Sequence, residues 1–443
     1  MNKLLVYTDQ VSNRLKYILD LMLTDLLGLQ YELTGDKEIF KNSNKPKMSY
    51  AKQPVGDEVF IGSAELLFEA TNRPQPINFC EQDRIRGFYP VSAPSAINFD
   101  IFASAFFMVT RYEEHFPGHR DKYDRFRPST SMNAKGGYLD KPMVNYYALE
   151  LKKILAAKYP TLRFVKKPFE YVPTFDIDMA YSYKHKGFIK NTGGFFRSFV
   201  LSDFKEMRER ASVLLGRRQD PFDTFGYLLQ VCKKHQLRSI YFFLIGDESR
   251  FDKNISFDVE PFRELIREVY KQADIGVHLS YKSHISSGRS RMEIQRLEKI
   301  VGAPVQRNRF HYLRFKYPDT FHRLINIGIK EDYSMGYASR NGFRAGISSP
   351  YYFFDIHKNV VTDLKMVPFA FMDSTFAHYQ KTDPETALNE IRQLMRYTYE
   401  AGGPFYGLWH NSSFTGIKEW KGYEGVFETV AEEAAALMYQ ETT

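Results

Sequence analysis

The chain has 443 residues, of which 43 % are apolar and 26 % charged. That balance suits a folded protein, excludes a disordered or fibrous one, and at this length calls for more than one domain. A net charge of +8 is modest for such a chain and comes with no helix-turn-helix, zinc-finger or RNA-binding signature, so no nucleic-acid partner is expected.

Met1-Asn2-Lys3-Leu4-Leu5-Val6-Tyr7 starts like a secretory signal, but Thr8-Asp9-Gln10 ends the apolar run. The opening therefore reads as a strand. An amphipathic helix follows over 12–32, where Leu15, Ile18, Leu19, Met22 and Leu26 recur near helical spacing. Cys80 and Cys232 are too few for a disulfide framework and read as small buried apolar residues. With no apolar run long enough to span a bilayer, a cytoplasmic protein is expected. Further helices are expected over 100–109 and 141–158, among turns such as Phe116-Pro117-Gly118. The charges of this region (Glu81, Asp83, Arg84, Arg86, Arg111, Glu113) carry no assigned chemistry.

The character changes near Pro160. Short apolar strands are predicted over 171–176, 239–245, 274–278, 306–310, 329–333, 365–371 and 405–410. Helical patterns lie between them at 221–236, 258–272, 290–302, 317–327 and 384–401. Such alternation predicts an α/β chain: an N-terminal α/β domain over 1–165 and an incomplete (β/α)7-type barrel over 166–443. In barrels, chemistry collects at the C-terminal ends of the strands.

Those ends carry Asp176 and Asp178, His278, Arg309 with His311 and Arg314, Asp373, and His410. Singly, each has an ordinary reading: a turn or helix cap for the aspartates, a packed imidazole, a structural ion pair. Together they form the donor set for a divalent metal, one carboxylate and two imidazoles, with a second carboxylate and a further histidine left for proton transfer. That set suits hydrolysis of an ester or amide.

In this order the motifs resemble the polysaccharide deacetylase (NodB-homology, carbohydrate esterase) superfamily, in a divergent bacterial branch with an extra N-terminal domain. The resemblance covers 171–410 and rests on Thr174-Phe175-Asp176-Ile177-Asp178, His278 and Leu408-Trp409-His410. It implies a base role for Asp176, a metal-ligand role for Asp178 and His278, and protonation of the leaving group by His410. The superfamily's second metal histidine lies four residues after the first, where this chain has Lys282. His311 or His284 is left to complete the site, with His311 preferred for its strand-end position. The Arg-x-Pro motif is replaced by 309–314, so Arg309 or Arg314 orients the base; Asp373 is placed to orient His410. Tyr281, Trp409 and Arg344 are candidate substrate contacts, Arg344 in a Gly- and aromatic-rich segment over 332–347.

The implied activity is metal-dependent deacetylation, with zinc the expected ion, of an N- or O-acetylated sugar or glycan precursor. The alternative is a catalytically degenerate carbohydrate-binding or assembly protein of surface-glycan synthesis, motivated by Lys282. Residues 181–220 hold nine Lys/Arg against four Asp/Glu, interleaved with Phe188, Phe195, Phe196, Phe199 and Phe204. Three readings compete for this insertion: a solvated helix, a dock on an anionic membrane at the inner face, or a site for an acidic or lipid-linked sugar.

Overall fold

The computed structural model describes residues 3–92, 94–165 and 167–440. Met1 and Asn2, at the start of the expected first strand, lie outside the described residues, as does Lys166 at the expected domain division.

The N-terminal part is built on a four-stranded parallel sheet of β1 (Lys3–Thr8), β2 (Gln30–Thr34), β3 (Lys47–Ala51) and β4 (Val59–Gly62), in the order β2-β1-β3-β4. The helix expected over 12–32 is shorter. Ser12 caps it by accepting the Leu15 N–H, it runs from Asn13 to Leu19, and a π-helical stretch carries on to Leu26. Gly28 then turns the chain at φ +62°, pressed so close to Val165 that a Cβ would lie 2.6 Å from it, and 30–34 forms β2. A hairpin of β5 (Phe79–Gln82) and β6 (Ile85–Phe88) precedes the helix Ile101–Val109. Asp100 caps that helix, and all nine of its residues are buried. The helix Met143–Lys158 closes this region.

The second sheet has nine strands. They are β7 (Glu170–Ile177), β8 (Ile240–Phe243), β9 (Asp274–Leu279), β10 (Arg307–Phe310), β11 (Glu331–Met335), β12 (Tyr351–Asp355), β13 (Val360–Pro368), β14 (Phe371–Met372) and β15 (Pro404–His410). Their order is β12-β13-β11-β10-β9-β8-β7-β15-β14, with every pairing parallel except β12 on β13. The end strands β12 and β14 do not pair with each other, so the barrel is incomplete. The predicted strand over 365–371 is divided at Phe369-Ala370 into β13 and β14, and β12 is an added antiparallel edge.

Strand parity decides what faces the barrel interior. Val172, Thr174 and Asp176 of β7 share one face, and Tyr171, Phe175 and Ile177 the other. Val172 joins Ile240, Phe242, Tyr333, Val367, Phe369, Tyr406 and Leu408 in a separate inner core. Tyr171 and Phe175 belong to the outer core beneath the helices. That outer core is continuous with the N-terminal region: the Tyr17 ring packs on Phe354 at 4.9 Å and its hydroxyl donates to the Tyr352 carbonyl at 2.7 Å.

Candidate metal centre

The inward parity of four strands holds to their C-terminal ends, and past the ends of β7 and β10. Asp176 and Asp178 continue the face of Thr174, His278 that of Gly276, His311 that of Arg309, and His410 that of Leu408. Curling of the sheet brings these ends together: Arg309 of β10 reaches across two strands to bind Asp176 of β7 at 2.8 Å and Thr174 Oγ1 at 2.8 Å. The buried guanidinium also lies over Phe242, 4.5 Å from its ring centre.

At the rim, one ligand atom from each of Asp178, His278 and His311 lies within 4.8 Å of the others. The two imidazoles are anchored through Nδ1. His278 Nδ1 faces the Arg309 carbonyl at 3.0 Å, and His311 Nδ1 faces the Asp252 carboxylate at 2.8 Å. Since a carbonyl only accepts, His278 Nδ1 carries a proton, and Nε2 faces Asp178 Oδ1 at 3.1 Å. Asp178 Oδ1 is itself buried without a hydrogen-bond partner. One carboxylate oxygen without a hydrogen-bond partner and two anchored imidazoles converging within 4.8 Å make a donor set that fits a divalent metal.

The electrostatics agree. Burial pushes the Asp178 carboxyl up, but His311, His278 and His410 outweigh it and hold it well below the usual carboxylate range. Burial lowers the His311 pKa, yet Asp178 and Asp252 bring it up to about 9. The metal-free cluster thus keeps a proton on His311, a positive charge where the donor set takes a cation.

On the other side, His410 Nδ1 meets the fully buried Asp373 at 2.7 Å, and Asp373 also accepts the His410 backbone N–H at 2.6 Å. Burial opposes protonation of His410, but Asp373, then Asp178 and Asp176, raise it to about 10. His410 is paired in register with Asp176 across β15 and β7. Asp176, Asp178, His278, His311 and His410 line a cavity of about 530 Å³. Its apolar wall includes Leu313, Ala338 and Met372, and its aromatic wall includes Tyr123, Tyr312, Tyr379 and Trp420.

A sequence profile described as a family of unknown function (DUF7033) matches residues 4–160. No curated protein matches the chain. Among solved structures, the chain is similar to a Mycobacterium smegmatis protein classed with the polysaccharide deacetylases, at 15 % identity and TM-score 0.39, over 61 % of this chain and 85 % of that one. It is similar to the allantoinase Puue at 12 % identity and TM-score 0.37, over 60 % of this chain and 84 % of that one. It is also similar to BA3943, a CE4 family pseudoenzyme from Bacillus anthracis, at 9 % identity and TM-score 0.30, over 60 % and 62 % of the two chains.

Several expected site residues lie elsewhere. Trp409 is fully buried on the outer face of β15, where its Nε1–H donates to Tyr171 at 3.0 Å and its ring packs on Phe371 and Phe427. It does not reach the cavity, because it alternates with the inward Leu408 and His410. Arg344 is buried and ion-paired to Glu114 at 2.5 Å, each of its guanidinium nitrogens bonded to Glu114 or the Gly336 carbonyl, and it does not line the cavity. Tyr281 is buried, stacked on Phe251 at 4.0 Å and covered by Arg314 at 4.5 Å. Arg314 faces Asp124 at 3.5 Å, leaving Arg309 as the arginine on Asp176. His284 bonds the Tyr281 carbonyl through Nδ1 and lies outside the donor set, and Lys282 is exposed.

Other residues of the site carried no signal singled out in the sequence. Asp252 lies in the loop after β8, outside any periodic pattern; a carboxylate just past a strand end was the available clue. Lys122, Tyr123 and Arg125 come from the N-terminal region and line the same cavity. Arg125 fixes that segment on the barrel rim by donating to the Tyr312 carbonyl and the Tyr379 hydroxyl, each at 3.1 Å.

Proposed function

We propose that this protein is a metal-dependent hydrolase that removes the acetyl group from an N- or O-acetylated sugar or glycan precursor. The observation that carries this reading is the convergence of Asp178, His278 and His311 within 4.8 Å, set between a carboxylate held by arginine and an imidazole held by carboxylate. The resemblance of the motif order over 171–410 to the polysaccharide deacetylase superfamily supports it.

Asp178, His278 and His311 would hold the ion, with zinc suited to one carboxylate and two imidazoles. When bound, it supplies Lewis acidity toward the acetyl carbonyl and toward water. Asp176, fixed through Oδ1 by Arg309, takes the proton of the attacking water. His410, with Nδ1 fixed on Asp373, turns Nε2 to the cavity and gives its proton to the departing amine or hydroxyl as the acyl C–N or C–O bond breaks. Acetate and the free amine or alcohol leave, and water restores the two proton carriers. The apolar wall of Leu313, Ala338 and Met372 suits the acetyl methyl group, and the aromatic wall suits a sugar face.

The test pairs metal analysis with hydrolysis of acetylated chito-oligosaccharides and O-acetylated sugars. The expected result is about one divalent ion per chain, lost in Asp178→Asn. Asp176→Asn and His410→Ala should each retain the metal but lose on the order of 10² to 10⁴ in rate. Full activity in both variants sinks the assignment. Purified protein with no affinity for divalent ions points instead to a non-catalytic carbohydrate-binding role.

A further inference from the structure

The segment between Asp178 and Phe222 forms a helical hairpin whose hydrophobic face is turned outward. Its helices are Phe188–Val200 and Phe204–Leu214. At 100° per residue, Phe188, Ile189, Phe196, Phe199 and Val200 of the first helix fall within one arc of about 120°. All five are exposed, Phe188 by 84 % and Ile189 by 87 %. The opposite side holds Gly194 and Ser198. Ser198 is buried, and a Cβ at Gly194 would lie 2.3 Å from the Arg210 guanidinium of the second helix. Gly194 and Ser198 thus pack inward with Phe195, while the other large apolar residues of this helix face outward, the reverse of a soluble helix.

This orientation is built into the hairpin. Arg210 is clamped between the rings of Tyr183 and Phe195 at 4.6 and 5.7 Å and paired with Glu206 at 2.9 Å. The neck is closed by Asp220, whose carboxylate accepts the backbone N–H groups of Ser182, Tyr183 and Lys184 at 2.6, 2.8 and 2.9 Å. Leu201 and Phe204 extend the apolar surface around the tip.

Charge selects the occupant. The first helix has no carboxylate. Arg197, Lys205, Arg208 and Arg217 are exposed, with no ion pair among the described residues. A second copy seated on this face by two-fold symmetry would set these cations against each other. An anionic bilayer accepts both halves of the surface: phenyl rings enter the headgroup–acyl boundary and the cations meet lipid phosphates.

We propose that this hairpin docks the protein on an anionic phospholipid membrane. Phe222, at the end of the neck, lines the cavity, so the hairpin is joined directly to the cavity wall. Docking needs no catalysis, so flotation and deacetylation succeed or fail separately.

The experiment is flotation of the full chain with vesicles of phosphatidylcholine alone and of phosphatidylcholine mixed with phosphatidylglycerol, alongside its sedimentation in solution. The expected result is binding to the mixed vesicles only. The exposed double variant Lys205→Gln with Arg208→Gln should weaken binding about 30-fold. Phe196→Ser with Phe199→Ser should abolish it. Equal binding to both vesicle types, or no binding to either, overturns the proposal. So does a stable dimer that the phenylalanine variant dissolves, which would assign the face to a second copy.

Discussion

Two of the buried charge clusters among the described residues differ in what they face: one is closed on itself and the other opens on a cavity. In the first, Glu114 takes Arg111 at 2.8 Å and Arg344 at 2.5 Å, while Arg111 also binds Glu113 at 2.8 Å and Tyr337 at 3.1 Å. Every guanidinium nitrogen of Arg344 is used, on Glu114 or on the Gly336 carbonyl. In the second, Asp178 keeps a buried oxygen without a hydrogen-bond partner, 3.1 Å from an imidazole nitrogen, on the wall of an open cavity. Buried charge by itself therefore does not mark a site. A saturated cluster fastens one part of the chain to another; a cluster with a surplus of acceptors facing a cavity leaves room for a ligand.

The largest effect expected from this contrast is on stability. Glu114→Ala strands buried Arg344, leaves Arg111 on Glu113 alone, and should cost about 3–5 kcal/mol, read as a lowered Tm, with metal content unchanged in the protein that folds. The pH profile carries the same signature. Burial pushes the Glu114 carboxyl up, but Arg344 and Arg111 bring it down to about 2, below the unfolded value of 4.5. The unfolded chain therefore takes up the proton first as the solution is acidified. The stability from Glu114 is present in full above pH 4.5 and is lost as pH falls through about 2. Glu114→Gln should flatten that limb of the denaturation curve. Loss of metal with Tm unchanged would erase the distinction between the clusters.

How far each cluster is legible in the sequence follows from how local it is. Asp176, Asp178, His278, His311 and His410 stand at the ends of strands that apolar runs reveal, so a barrel reading already aligns them. The same period-two alternation that turns Leu408 and His410 inward turns Trp409 outward, a signal present in the residues themselves. Arg344 is different: its partner Glu114 is 230 residues away, and no local pattern distinguishes a saturated arginine from a free one. The helix expected over 12–32 overran because the apolar spacing continues through a turn that Gly28 and its contact with Val165 impose. Which of His284 and His311 joins Asp178 depends on how the sheet curls, a tertiary property.

A smaller effect probes the open cluster from behind. Asp252 fixes His311 at 2.8 Å and takes the Tyr281 backbone N–H at 2.9 Å without lying among the three donors. Asp252→Asn should lower metal affinity about 10- to 100-fold while the chain stays folded. Competition with a chromogenic chelator measures this, and the wild-type protein at the same pH provides the reference. Unchanged affinity would mean that His311 is not a ligand, since a ligand freed from its orienting carboxylate does not keep its hold.

The smallest expected effect falls on the outer wall of the same cavity. Lys122 and Arg125 both line it, but Arg125 is spent on Asp121, Tyr312 and Tyr379. Lys122 lies over the Tyr123 ring at 5.0 Å, is exposed, and has no ion pair among the described residues. Of the two cations, Lys122 is the one left for an acidic group on a substrate. One exposed charge contributes at most about 1 kcal/mol, so Lys122→Gln should raise KM for an anionic acetylated glycan no more than about fivefold. It should leave kcat, and both constants for a neutral acetylated sugar, unchanged. Added salt should erase the difference, because an exposed pair is screened where the buried Glu114 cluster is not. An equal loss on neutral and anionic substrates would make Lys122 a packing residue and confine the N-terminal wall of the cavity to its aromatic surface.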